Sequence, residues 1–170
     1  MGLFMRSIMS ALLVVMVSWP GMGTAQSNEL IEAYKKGNAL SQAGQYEKAL
    51  PFLEKTLRMG EREFGADHPT TASLLNKLAE VYRVQGRYAD AEPLYKRSLK
   101  VWEKALGSEH RSVATSFNNL ALLYSAQGRY AEAEPLYKRS LAIKEKTLGP
   151  EHPSVAVSLN NLATLYQVQG

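Results

Sequence analysis

Apolar positions along the chain recur with a short period laid over a long one. The short period is helical. Leu75, Leu78, Ala79 and Tyr82 fall three or four apart, and after Gly86 a second stripe runs through Ala91, Leu94, Tyr95, Ser98 and Leu99. The long period is 42 residues: Gly44-Gln45-Tyr46, Gly86-Arg87-Tyr88 and Gly128-Arg129-Tyr130 stand one step apart, and Gly170 falls at the next. His68, His110 and His152 keep the same step, as do Tyr82, Tyr124 and Tyr166. Arg87 to Leu99 differs from Arg129 to Leu141 only at Asp90 against Glu132. A repeat of this length predicts an array in which each unit covers its apolar face with its neighbours.

Each period predicts two helices. The first spans about Thr70 to Gln85, with Pro69 just inside its start and Gly86 closing it; the second spans about Tyr88 to Leu106. Pro51, Pro93 and Pro135 lie early enough in the second helices to be tolerated there. Glu92 with Lys96 and Glu134 with Lys138 read as exposed pairs, each contributing about 0.3 kcal/mol. No segment reads as a strand. The predicted fold is all-α, a right-handed superhelical array of about three and a half helix pairs, with units at about 28–69, 70–111, 112–153 and a partial 154–170. The pattern stops after a first helix, so Leu159, Leu162 and Tyr166 are expected to be half covered and the chain to be a fragment of a longer protein.

The first 25 residues depart from this pattern. Arg6 is the only charge before Glu29, Ile8 to Trp19 is apolar, Pro20-Gly21 breaks the run, and Gly23-Thr24-Ala25 supplies small residues for cleavage. That is the layout of a secretory signal peptide over 1–25, with an uncleaved anchor as its competitor. It predicts export to a periplasmic or external compartment and no membrane attachment once cleaved. The chain has no cysteine, which removes disulfides, thiol catalysis and cysteine-bound zinc. Its net charge of +4 comes from basic residues interleaved with acidic ones, unlike a stripe for nucleic acid.

Catalytic and metal chemistry find little support. The three histidines occupy one position in successive units. Helices packed about 8–10 Å apart would hold them too far from each other to share an ion whose ligands stand at about 2 Å. They read as loop residues capping the next helix, and no metal or cofactor is expected. Ser98 and Ser140 read as small packing residues, and no nucleophile turn or phosphate-binding glycine loop is present. Asp67-His68 and Glu109-His110 read as local capping in preference to acid–base pairs. Lys96-Arg97 and Lys138-Arg139 read as a solvated face. No enzymatic activity is expected.

The strings Leu78-Ala79, Tyr82, Gly86, Tyr88, Ala91 and Tyr95, with Asn118-Asn119-Leu120-Ala121 and Asn160-Asn161-Leu162-Ala163, resemble the tetratricopeptide family, specifically the 42-residue repeats of kinesin light chains and many bacterial proteins. The first unit departs from it, with Lys36-Gly37 for Leu-Ala and Leu40 for the tyrosine. The resemblance implies that the first helices line a concave groove that binds a protein or an extended peptide.

Asn76, Asn118 and Asn160 recur in mid-helix, where asparagine is a poor helix former, with Lys77, Asn119 and Asn161 beside them. Two explanations stand side by side: amides bonding along the array, or amides bonding a peptide backbone. Arg83 shares that face in the second unit, and Tyr34, Lys35 and Asn38 are the first-unit candidates. Arg83 becomes Ser125 and then Gln167, so basic character fades along the array. Alternative readings are an N-terminal sensor for an effector lying beyond Gly170, and self-association through the last helix.

Overall fold

The computed structural model describes residues 24–169; of the expected signal peptide, 1–23 lie outside the described residues, as does Gly170. Seven helices and no strand occur among the described residues: α1 (Thr24–Gln42), α2 (Tyr46–Phe64), α3 (Pro69–Val84), α4 (Tyr88–Leu106), α5 (Arg111–Ala126), α6 (Tyr130–Leu148) and α7 (Pro153–Gln169). None of the described helices is long and apolar enough to cross a membrane. The chain divides after Ala66 into two compact units.

In the first unit α1 and α2 pack antiparallel. Lys55 Nζ meets Glu29 Oε1 at 2.6 Å near one end of the pair, and Gly37 lies against Leu53 further along. A Cβ on Gly37 would stand 2.9 Å from Leu53 Cδ2 and 3.2 Å from Phe52 Cβ, so the helices approach more closely here than an alanine allows. This is the physical reason for the glycine that sets the first unit's sequence apart. Leu30, Ala33, Ala49, Leu50 and Leu53 form the buried interior, and Thr56 turns its hydroxyl back onto Phe52 O at 2.7 Å.

The second unit holds α3 to α7, and its helix ends follow from local chemistry. His68, His110 and His152 each stand at an N-cap, and each Nδ1 accepts the backbone N–H two residues on, at 3.1 Å. At the other end of α3, Gly86 adopts φ +72°, which lets Arg87 N–H reach back to Tyr82 O at 2.9 Å and satisfy a terminal carbonyl.

Within each pair the second helix is tied to the first by one buried serine. Ser98 donates to Ala72 O at 2.8 Å and Ser140 to Ala114 O at 2.7 Å. With Asp67 against Lys104, the Ala72–Ser98 bond shows that α3 and α4 run antiparallel. Between pairs, Val113, Ala114 and Ile143 are buried, and Leu99, Trp102 and Phe117 pack on them. This core joins α4, α5 and α6.

A polar clasp spans the same junction. Glu92 of α4 accepts from Tyr124 of α5 at 3.2 Å and from Arg129 Nη1 at 2.8 Å. The Arg129 guanidinium also lies 4.0 Å from the Tyr124 ring centroid and grips both Glu132 oxygens at 2.7 Å. One repeat later Tyr166 donates to Glu134 at 2.9 Å.

Several sequence expectations are corrected by these contacts. Glu92 is not simply half of an exposed pair with Lys96, because it also joins consecutive repeats. Ser98 and Ser140 act as hydrogen-bond donors as well as small packing residues. Asp67 and Glu109 do not cap helices locally: Asp67 binds Lys104, and Glu109 binds Arg139 and Lys146. Leu162 is fully packed at 7% exposure, whereas Leu159 and Tyr166 remain half exposed. These polar partners are more than two dozen residues apart, so no local periodicity contains them.

The clasp is expected to depend on pH. Burial pushes the Glu92 carboxyl up, but hydrogen bonds from Lys96, Arg129 and Tyr124 outweigh it and hold the group below the usual carboxylate range. A lowered folded value means that stability is present above the unfolded carboxylate value, about 4.3, and is lost as pH falls through the folded one. Glu92→Gln is therefore expected to cost about 1 kcal/mol at pH 7 and almost nothing at about pH 2. Urea midpoints of both proteins at the two pH values measure this, and an equal difference at both would show that the charge is not what matters.

Candidate functional site

The first helices of the second unit lie side by side, and their recurrent polar residues have three different fates. Asn118 is buried at 9% exposure, and its Oδ1 accepts from Asn161 Nδ2 at 2.9 Å. That bond links α5 to α7, so these two amides serve the junction between repeats. Asn160 is exposed and Asn119 half-buried. Asn76 is half-buried too, and its Oδ1 is enclosed without a hydrogen-bond partner. An enclosed carbonyl oxygen with no donor costs about 1–3 kcal/mol.

Seven residues further along α3, two turns up the same face, stands Arg83. The Tyr95 hydroxyl from α4 accepts a hydrogen bond from its guanidinium, and the same charge acts on the Tyr137 hydroxyl of α6. Burial pushes the Tyr95 phenol up to about 12, with Arg83 pulling the other way, so the phenol stays protonated under ordinary conditions. Glu80, the nearest carboxylate on α3, is paired with Lys77 at 3.0 Å. Ser125, the α5 counterpart of Arg83, lies beside the Tyr137 hydroxyl, and its own Oγ is enclosed. The structure thus brings Arg83, Ser125 and two tyrosine hydroxyls toward one region of the first-helix face.

Tyr95 and Tyr137 lie outside the site residues that the sequence predicts, because the stripe containing Tyr95 reads as core. The available signal was the residue type. Tyrosine at a fully buried position carries a hydroxyl that must find a partner, which leucine or phenylalanine would not need.

The first-unit candidates belong to the other compact unit. Lys35 is exposed and pairs with Glu32 at 3.2 Å, while Tyr34 and Asn38 are half-buried. Lys35 lines a shallow depression with Glu29, Glu32 and Lys55, where the Lys36 ammonium lies 4.5 Å from the Phe52 ring centroid.

The tetratricopeptide repeat model matches residues 29–83, 70–146 and 112–170. A putative kinesin light chain with nearly identical TPR-like repeats from Podosopora anserina is similar at 28% identity and TM-score 0.70, covering 96% of this chain and 76% of that one. BtubC (BKLC) from P. vanneervenii is similar at 24% identity and TM-score 0.72; the match covers 79% of this chain and 54% of BtubC, so the chain spans about half the length of that protein. The first TPR of Spaghetti (RPAP3), solved bound to an HSP90 peptide, shares the fold at 16% identity and TM-score 0.58, covering 84% and 94%. No curated protein matches the chain.

Proposed function

The chain belongs to the tetratricopeptide repeat family, and from that premise we propose that it is a non-catalytic scaffold that binds a protein or an extended peptide on its first-helix face. The observation that carries this reading is the half-buried Asn76 standing two turns before Arg83 on one face of α3, with the Tyr95 and Tyr137 hydroxyls beside that guanidinium. The exposed Asn160 amide offers a bound main chain both a donor and an acceptor. Arg83, with the tyrosine hydroxyls beside it, receives a carbonyl or carboxylate. The RPAP3 domain lends support by fold alone, since it was solved with an HSP90 peptide bound.

The neutral amides of α7 and the charged residues of α3 make the face asymmetric, so an acidic group on the ligand sits at the α3 end. The signal-like first 25 residues support export of the scaffold. Intact mass of the exported form reads cleavage near Ala25.

The test spares Asn118, because its substitution would disturb the bond to Asn161. An Asn76→Ala, Arg83→Gln, Asn160→Ala variant is compared with the wild type for capture from an exported-protein extract, with circular dichroism on both. The expected result is about tenfold weaker retention of the captured partner with helicity unchanged. Retention equal to the wild type's would reject this face as the binding surface.

A further inference from the structure

A second row of residues crosses the first-helix face beside the asparagines, and it is apolar. Val84 on α3, Ala126 on α5 and Val168 on α7 stand one 42-residue step apart, in the last turn of each helix. All three are exposed, Val84 at 44% and Val168 at 59%. Each lies seven residues beyond Lys77, Asn119 or Asn161, two turns up the same helix face. α3 and α5 are each followed by another first helix, yet Val84 and Ala126 stay open, so exposure belongs to this repeat position. Leu122, one turn before Ala126, is half-buried beside the row. Arg83 directly precedes Val84; beyond Arg111, α5 has no charged residue, and α7 has none at all.

The spacing of the row selects a backbone. Asn161 donates to Asn118 between α7 and α5, so these first helices touch. Helices in contact stand about 8–10 Å apart, and a ligand lying across them meets one apolar residue at each such step. A β-strand returns a side chain to the same face after about 7 Å, and its third residue points away. An α-helix keeps its carbonyls for its own hydrogen bonds, which leaves the amides of Asn119 and Asn160 nothing to hold. A polyproline II segment has three residues per turn and rises about 3.1 Å per residue. Its side chains therefore share a face every third residue, about 9 Å apart, and its carbonyls are free.

We propose that the ligand is a polyproline II segment lying across α3, α5 and α7, with an aliphatic side chain at every third residue seated on Val84, Ala126 and Val168. This rests on the first-helix face being the binding surface, and adds the conformation and period of what that surface takes. Prolines between the anchors hold the segment in shape before it binds, so less chain entropy is lost. An acidic residue next to the first anchor meets Arg83, while Glu80 is occupied by Lys77. The uncharged stretch over α5 and α7 matches a neutral remainder of valine and proline.

The experiment titrates three labelled peptides into the full chain and reads anisotropy. The first is Glu-Val-Pro-Pro-Val-Pro-Pro-Val. The second has the same composition with valine at every second position, and the third is the first with threonine for each proline. The first should bind saturably, and the other two about tenfold more weakly. In the chain, Val84→Ser should weaken the first peptide about fivefold and Ala126→Glu about tenfold. Both positions are exposed, and circular dichroism checks that the helices remain; if Ala126→Glu loses them, Val84→Ser alone decides. Absence of binding by the first peptide overturns the proposal, as does equal binding by the second or the third. Binding of the first that ignores these substitutions places it elsewhere and overturns the proposal too. None of these results rejects the face itself, which falls only if the Asn76→Ala, Arg83→Gln, Asn160→Ala variant keeps its captured partner.

Discussion

Replacing Tyr95 by alanine is expected to lower the stability of the second unit by about 3–5 kcal/mol, the cost of emptying an aromatic site in a packed interior. Tyr95 is 1% exposed and is the residue by which α4 fills the space along α3. A domain of this size has about 5–15 kcal/mol in all, so one ring accounts for a large share. Tyr95→Phe keeps the ring and removes only the hydroxyl that accepts from Arg83, so its expected cost is about 1 kcal/mol. Urea unfolding of the three proteins gives both values. Hydrogen exchange should place the loss first in α3 and α4, because each helix pair in a repeat array depends on its neighbours. If Tyr95→Ala cost less than about 1 kcal/mol, the ring would not be the pillar of this pair. The phenylalanine variant also separates stability from recognition: it should loosen Arg83 and weaken ligand capture while the helices stay intact.

Lys144 predicts an effect of the opposite sign. It occupies the α6 position that Trp102 holds in α4, and it is only 8% exposed. Its Nζ donates to Ser158 Oγ at 2.7 Å, and Ser158 in turn donates to Ser154 O at 3.2 Å. Burial, with no charge offsetting it, pushes the amine below its usual value. One hydroxyl does not compensate an ammonium for the loss of water, so Lys144→Met is expected to stabilise the α6–α7 junction by about 1–2 kcal/mol at pH 7. Nothing is orphaned by the change, because Ser158 keeps its bond to Ser154.

The pH dependence supplies the sharper readout. A lowered folded-state value means that the unfolded chain binds more protons, so wild-type stability rises as pH climbs from the folded value toward about 10.4, where the free amine titrates. Below the folded value both states carry the proton, and the cost of burying the charge is constant. The difference between wild type and Lys144→Met should therefore shrink as pH rises. A difference that stays constant from about pH 7 to about pH 10 would show that the amine reaches solvent. The same junction carries α7, so relief of this buried charge should also slow amide exchange in that helix.

The glycine and histidine positions show how much was legible locally. Gly44, Gly86 and Gly128 all adopt φ between 72° and 73°, and the three histidines all cap the next helix. These are consequences of backbone geometry within a few residues, so a repeated string repeats the conformation. The asparagine row shows the limit. Asn76, Asn118 and Asn160 occupy one repeat position, yet one has an enclosed oxygen without a donor, one is bonded across repeats, and one is exposed. The neighbours differ at each step, and the sequence pattern does not carry the neighbours.

The same division holds for the whole molecule. The sequence by itself determined the all-α class, the 42-residue step, the seven described helices to within a residue or two at the ends compared, and the buried Ala-Tyr-Ser stripe of the second helices. Each of these depends on side-chain periodicity, on caps, or on φ values that only glycine adopts freely. Only the tertiary structure decided that Ser98 and Ser140 bond the facing helix, that Glu92 joins Tyr124 and Arg129, and that Lys144 is buried. Those outcomes depend on what a side chain meets from a helix dozens of residues away, and desolvation there sets the energy of a polar group far more strongly than its place in the repeat does.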